Sequence, residues 1–357
     1  MSQLKAIKKP KSDKAPKVKK LFIAGVGAVG GTLLKQVSKI KSIHPVRVLG
    51  VCNRKHALWF ERSQQNYSLN NLRRGPSKDW DEIIEKLKSY ETGTAVFVDT
   101  SGSKEVSDLY PRLLQSGIHV VTASKLANTQ SQAFYDELHY LSQAGNTRFL
   151  YETNVGAGLP IIQTIEDLLQ TGDSVHELTG VLSGTMTFLF SELEKGHPFS
   201  ETVIKARTLG YAEPDPRDDL SGEDVARKFL ILARKCGLRL ERDELDVESL
   251  IPSYLQDVDS ATFLERLGEA DEEWSKRISD AAENNETLRY TGSLKNGKIK
   301  IGVESVNRDS SLGQLAGTNN LLLIKSDRYS DQPLIIQGPG AGKEVTAAGV
   351  LADLLKI

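Results

Sequence analysis

Residues 209–237 read LGYAEPDPRDDLSGEDVARKFLILARKCG and gather the side chains best suited to proton chemistry. Glu213, Asp215, Asp218 and Asp219 crowd around two prolines and one arginine. Pro214 and Pro216 fix their own φ and bias the preceding residues to extended backbone, which predicts a stiff loop rather than a helix. Ser221 then reads as an N-cap with Asp224 three residues on, and Val225, Phe229, Leu232 and Ala233 supply an apolar helical stripe that Gly237 ends at C′. On such a helix Asp224 and Lys228 stand one turn apart on one face. A lysine beside carboxylates has a proton affinity its surroundings can tune for acid/base work. A solvated capping box with an i, i+4 ion pair would look the same. The acidic loop weighs against that, because clustered like charges are costly unless a cation binds among them. A calcium loop is not matched, since Arg217 falls where a ligand would be. An ammonium-bearing substrate fits better.

Such groups need a scaffold and a redox partner. Upstream, Gly25-Val26-Gly27-Ala28-Val29-Gly30 forms a G-x-G-x-x-G turn between an apolar strand and a helix with Val29, Leu33, Leu34 and Val37 on its inner face. Glycines there permit a tight turn and let a pyrophosphate approach the helix N-terminus through Gly25, Gly27, Ala28, Val29 and Gly30. The next strand ends in Asn53-Arg54-Lys55, where an NAD-preferring site would place Asp or Glu for the ribose hydroxyl. Two cations beside an amide suit a 2′-phosphate, so NADP is favoured and NAD stays open. Thr100 and Ser101 follow a third strand and can line the nicotinamide ribose, while Ser124 and Lys125 end a fourth, facing the same crevice. Lys125 read alone is equally a surface lysine opening a helix. The late turn Gly338-Pro339-Gly340-Ala341-Gly342-Lys343-Glu344 is no P-loop, because Glu344 stands where Mg²⁺ needs Ser or Thr; it reads as a loop over the cofactor that brings in Gly342.

Strand–helix alternation over 18–150, with short and nearly all-apolar strands, predicts an α/β fold with a Rossmann-type doubly wound parallel sheet. A fifth strand is expected over 148–156. Residues 151–334 read as a second, α+β domain, with antiparallel strands joined by a hairpin turn at Lys295-Asn296-Gly297. The segment 335–357, a strand, glycine turn and helix, is expected to return to the first domain. Residues 1–17 form a Lys-rich tail expected to be disordered.

Composition limits the alternatives. At 357 residues, 39% hydrophobic and 26% charged, the chain has the profile of a globular protein of two domains. A net charge of −1 gives no general case for nucleic acid or membrane binding. Two cysteines exclude a disulfide or zinc framework and fit buried thiols in a reducing compartment, and no apolar run reaches spanning length, so the cytosol is expected. None of the six histidines has metal-ligand spacing.

Taken together, GVGAVGG, VVTASKLAN, YETNVGAGLPII, LSGTMTF, the 209–234 segment and GPGAGKEVTA resemble, in order, the homoserine dehydrogenase family over essentially the whole chain after the tail. The resemblance implies NAD(P)H-dependent, reversible reduction of L-aspartate 4-semialdehyde to L-homoserine, a step towards threonine, methionine and isoleucine. It implies Lys228 as general acid, with Asp224 orienting it or holding substrate. Glu213, helped by Asp219, would take the substrate's amino group, and Lys125 would stand beside nicotinamide and carbonyl. It implies a structural sodium ion at Glu152, Val155, Ala157 and Leu159, held mainly by backbone oxygens, and a homodimer formed through the second domain's sheet. Many members carry an ACT or aspartokinase domain; 357 residues leave length for neither, so threonine feedback through an ACT domain is not expected. An aspartate-semialdehyde dehydrogenase would need a nucleophilic cysteine near a histidine, which neither Cys52 nor Cys236 offers. A non-catalytic NADP-sensing module would be indifferent to loss of Lys228.

Overall fold

The computed structural model describes residues 17–40, 42–60 and 69–357. Residues 1–16 of the expected tail lie outside them.

The glycine turn opens a six-stranded sheet made of β1 (Lys19–Ala24), β2 (Val46–Cys52), β3 (Ala57–Trp59), β4 (Ala95–Asp99), β5 (His119–Thr122) and β6 (Phe149–Leu150), in the order β3-β2-β1-β4-β5-β6. All neighbours run parallel except β3, a short antiparallel edge with no foresign in the sequence reading. The strands are apolar throughout because both faces are covered. One face carries Leu21, Ile23, Val96, Val98 and Val121 against Leu33 and Val37 of helix Ala28–Ile40 and against Ala347, Val350 and Leu354 of helix Lys343–Lys356. The other carries Phe22, Phe97 and Val120 against Ile83, Ile84, Leu87, Leu113 and Leu114. The C-terminal helix thus completes the first layer.

The fifth expected strand is shorter than 148–156. β6 stops at Leu150, and Glu152–Asn154 turns into a 3-10 helix. Its physical reason is the buried Glu152 carboxylate, which accepts the Ile162 and Gln163 N–H groups at 2.7 and 2.9 Å and so caps the helix Ile161–Gln170.

A second six-stranded sheet combines β7 (Val175–Val181), β8 (Asp246–Val247), β9 (Glu286–Lys295), β10 (Lys298–Asn307), β11 (Asn319–Ser326) and β12 (Leu334–Pro339), in the order β12-β11-β7-β9-β10-β8. It is antiparallel apart from the β8–β10 pair. β9 and β10 meet through Asn296 (φ 53°) and Gly297 (φ 75°), the two left-handed residues that a tight hairpin turn demands. Leu334–Pro339 pairs with β11 rather than with the first sheet, so the chain crosses back only after Pro339, and the expected boundary at 335 falls inside a strand. An alternating apolar strand finds its ladder in the adjacent antiparallel edge before the glycine turn releases it.

Candidate active site

Two clefts share the carboxyl edge of the first sheet. The cofactor cleft encloses about 640 Å³. The glycine turn explains its floor. Gly25 (φ 89°) lies so close to β4's end that a Cβ would meet Ser101 Cα at 2.6 Å, and one on Gly30 would lie 2.0 Å from the Gly25 carbonyl. Gly27 has nothing within 4 Å of that position, so it faces open space where a ligand's backbone can approach. The helix begins at Ala28, which leaves its first N–H groups as a ready anion site. Thr100 Oγ1 donates to the Gly25 carbonyl at 2.6 Å, and Ser101 donates to the buried Asp99 through both N–H (2.7 Å) and hydroxyl (2.6 Å). Both line the cleft, as do Asn53 and Arg54. Lys55 does not; its N–H donates to Asn53 Oδ1 at 2.8 Å, so the pair shapes the turn.

Sequence reasoning missed Arg73, Lys78, Trp80 and Glu105, which line the same cleft. Arg73 ends the short helix Leu69–Arg73, Trp80 opens the helix Trp80–Lys88 and Lys78 lies in the link between them, so no single local motif marks the three together. Cys52 also lines it, but burial pushes its thiol up to about 12, as it does that of Cys236, and neither is a nucleophile at neutral pH.

The neighbouring cleft, of about 700 Å³, holds the ionic cluster. Lys228 is buried on the helix Glu223–Lys235 and donates to the Leu182 carbonyl at 2.6 Å, where β7 ends. Its ammonium also pairs with Asp224 at 2.7 Å, and the other Asp224 oxygen meets Lys125 Nζ at 3.3 Å. One carboxylate therefore bridges lysines contributed by the two domains. Burial alone would raise the Asp224 pKa, but Lys228 and then Lys125 pull it well below the usual carboxylate range. Burial lowers the Lys125 pKa, Asp224 opposes that, and Lys228 adds to it. A lysine has three N–H donors. Lys228 uses two on Leu182 and Asp224, which leaves one for a ligand.

The helix seats this lysine by burying Val225, Ala226, Phe229, Leu230, Leu232 and Ala233. Its start differs from expectation. Gly222, not Ser221, is the N-cap residue, with φ 76°, because a Cβ there would strike the Tyr290 hydroxyl at 1.9 Å. Ser221 instead closes a short helix, Arg217–Leu220, within the stretch expected to be loop. Pro216 allows that turn because it stands before its first residue, where no N–H is needed. The helix ends as expected, with Gly237 (φ 87°) after the Cys236 cap.

The four acids divide. Asp215 is held by Arg217 at 2.6 Å, and Arg217 donates to the Val258 carbonyl, so this pair ties the loop down. Glu213, Asp218 and Asp219 line the cleft. Asp219 accepts the Glu213 N–H at 2.8 Å and the Thr185 hydroxyl at 3.0 Å, and burial raises its pKa. Arg227, Asn154 and the 340–342 turn with Gly342 complete the wall. Ser124 lies beneath it, buried, its hydroxyl 3.4 Å from the Leu126 N–H.

A buried relay joins the clefts. The Tyr110 hydroxyl lies 2.5 Å from the Asp99 carboxyl and 2.8 Å from Thr122 Oγ1, which accepts the Ser124 N–H at 2.9 Å. The ribose wall and the Lys125 turn are thereby held to one frame.

In the 152–159 loop, where the sequence resemblance implies a cation, backbone oxygens rather than side chains are the groups left to coordinate one. Gly156 (φ 73°) and Ala157 (φ 53°) are successive left-handed residues between Val155 and Leu159, while the Glu152 carboxylate is already engaged by helix N–H groups. Among the described residues no cluster of three His, Cys, Asp or Glu could hold a metal.

A Rossmann sheet with an open glycine turn, facing an acid–lysine cluster on a second sheet domain, defines the class of two-domain dinucleotide-binding proteins. Residues 160–355 match the family model described as homoserine dehydrogenase, and residues 25–152 match that of the homoserine dehydrogenase NAD binding domain. The chain belongs to the homoserine dehydrogenase family. It is 40% identical to a bifunctional aspartokinase/homoserine dehydrogenase of Haemophilus influenzae over 95% of this chain and 43% of that protein. A chloroplastic bifunctional counterpart from Zea mays is 38% identical over 94% of this chain and 38% of its own length. The chain thus spans less than half of these relatives. Among solved structures, a Candida auris protein of unknown function superposes with a TM-score of 0.87 at 35% identity, covering 96% of this chain and 98% of that one. A hyperthermophilic archaeal homoserine dehydrogenase mutant in complex with NADPH gives 0.74 at 25% identity, covering 95% and 97%.

Proposed function

We propose that this chain is a homoserine dehydrogenase that reduces L-aspartate 4-semialdehyde to L-homoserine, with NADPH preferred over NADH. The observation that carries the reading is the Asp224 carboxylate bridging Lys125 and Lys228 in an acidic cleft beside the glycine turn. A bound nicotinamide would supply the hydride. Negative charge then develops on the aldehyde oxygen, and the remaining N–H of Lys228 stabilises it and delivers the proton. Asp224 accepts from both ammonium groups and holds them in place, offsetting one of their two positive charges. Burial eases proton release from Lys125, which makes it a second donor at the carbonyl. Glu213, Asp218 and Asp219 match the substrate's α-ammonium, and Arg227 its α-carboxylate.

Arg54 and Arg73 beside Asn53 support the NADP preference. The left-handed turn at Gly156 and Ala157 supports a sodium ion held by the carbonyls of Glu152, Val155, Ala157 and Leu159, with a structural role. The outer face of the second sheet supports a homodimer: Ile335 is 47% exposed there, and its strand neighbour Leu323 is half-buried. Free Cys52 and Cys236 support a reducing compartment such as the cytosol; no helix among the described residues is long and apolar enough to cross a membrane.

The test is NADPH oxidation with L-aspartate 4-semialdehyde, with NADH alongside. Wild type should turn over, and Lys228→Ala should lose about 10²–10⁴-fold in kcat with its circular dichroism unchanged. A wild type that binds NADPH tightly yet reduces no semialdehyde would sink the reading.

A further inference from the structure

We infer that Glu105 is a cofactor-selectivity residue, which weakens the cleft's hold on a 2′-phosphate and so keeps NADH in use. The inference rests on the proposed dinucleotide reading of the cleft. Four cations line the adenosine side, Arg54, Arg73, Lys78 and Lys104, and Glu105 is the one carboxylate among the lining residues described. Two of the cations are already neutralised. Lys104 pairs with Asp108 at 2.6 Å. Lys78, whose side chain is only 8% exposed, places its ammonium 3.1 and 3.2 Å from the two Glu105 oxygens. Trp80 closes the triangle: its Nε1–H donates to Glu105 at 2.6 Å, and the Lys78 ammonium sits 4.3 Å over its ring. The indole therefore pins the carboxylate with its edge and the ammonium with its face.

This arrangement has a direct electrostatic consequence. A 2′-phosphate approaching the end of β2 meets Arg54 and Arg73, neither of them ion-paired among the described residues, but Lys78 only as half of an ion pair. The Glu105 charge also repels the phosphate directly. A ribose hydroxyl carries no charge and feels little of either. Glu105 does not stand at the end of β2, where an NAD-type acid would, but on the short helix Lys104–Ser107 after β4. Scanning the β2 terminus for an acid cannot reveal it.

The experiment is calorimetric titration of wild type, Glu105→Gln, Lys78→Met and the double variant with NADPH and with NADH. Glu105→Gln keeps an amide oxygen for Trp80 and removes the charge. NADPH should then bind about three- to tenfold tighter while NADH changes by less than about twofold. High salt should shrink the gain. Lys78→Met should change NADPH binding by less than about threefold in wild type and remove most of the gain in the Glu105→Gln background, the non-additivity of groups acting as a pair. An unchanged NADPH-to-NADH ratio in Glu105→Gln overturns the inference. So does a shift towards NADH, or a tenfold loss of NADPH binding in Lys78→Met alone. A wild type that binds neither dinucleotide overturns the reading of the cleft and this inference with it. Binding of both without semialdehyde reduction would sink the proposed function alone, and the ratio would still decide the role of Glu105.

Discussion

The floor of the cofactor cleft is backbone from one continuous turn, 25–30, whereas the second cleft, proposed to take the substrate, draws charged side chains from segments far apart in the chain. Lys125 follows β5, the acids and Lys228 come from 213–228, and Gly342 comes from the crossing near the C-terminus. That floor depends on shape and on helix N–H groups, which tolerate no added atoms. The second depends on charges that neutralise one another at about 3 Å and so fix each other's protonation. A site built from backbone should fail by sterics, and a site built from charge should fail by electrostatics.

The largest expected effect separates the clefts outright. Lys228→Ala should remove about 10²–10⁴-fold of turnover while NADPH titrates as in wild type, since Lys228 touches only the substrate cleft. Next come two glycines in one turn. Gly30→Ala forces a Cβ to within 2.0 Å of the Gly25 carbonyl and should cost roughly 1–3 kcal/mol or more of stability, read as a lower melting temperature. Gly27→Ala meets nothing within 4 Å, so its melting temperature should hold while NADPH affinity falls about tenfold. Equal melting shifts in both variants would break the comparison. Arg54→Ala should weaken NADPH about tenfold relative to NADH, with kcat little altered.

The smallest effect is a shift in pH profile. Burial lowers the Lys125 pKa and Asp224 partly restores it. A rate that needs the Lys125 ammonium is present below its folded pKa and lost as pH rises through it. Asp224→Asn removes the restoring charge, so the alkaline limb of kcat/KM should begin at lower pH than in wild type. A limb that moves to higher pH would show that another group controls it.

Much of this was legible because it is local. Strand–turn–helix order around the glycines, the Asn296-Gly297 hairpin and the Gly237 terminator each follow from conformations that few residues can adopt. The Asp224–Lys228 pair was legible from helical spacing. Its partner Lys125 was a candidate only by its place at a strand end, and Leu182 was not suspected, because a backbone carbonyl carries no sequence signal. The Ser221 cap was misassigned because Ser-x-x-Asp is a sound local signal, overridden when Tyr290 packs where a side chain on residue 222 would go.

By itself the sequence determined the strand–helix alternation of the first sheet, the hairpin and terminator turns, and the residue types able to bind a dinucleotide and move a proton, since periodicity, turn chemistry and spacing act over a few residues. Only the tertiary structure decided which charges neutralise which. It set Asp224 between lysines of two domains, gave Asp215 to Arg217, and closed Lys78, Glu105 and Trp80 into one triangle. Electrostatic energy depends on distance through space, and chain folding sets that distance independently of separation along the sequence.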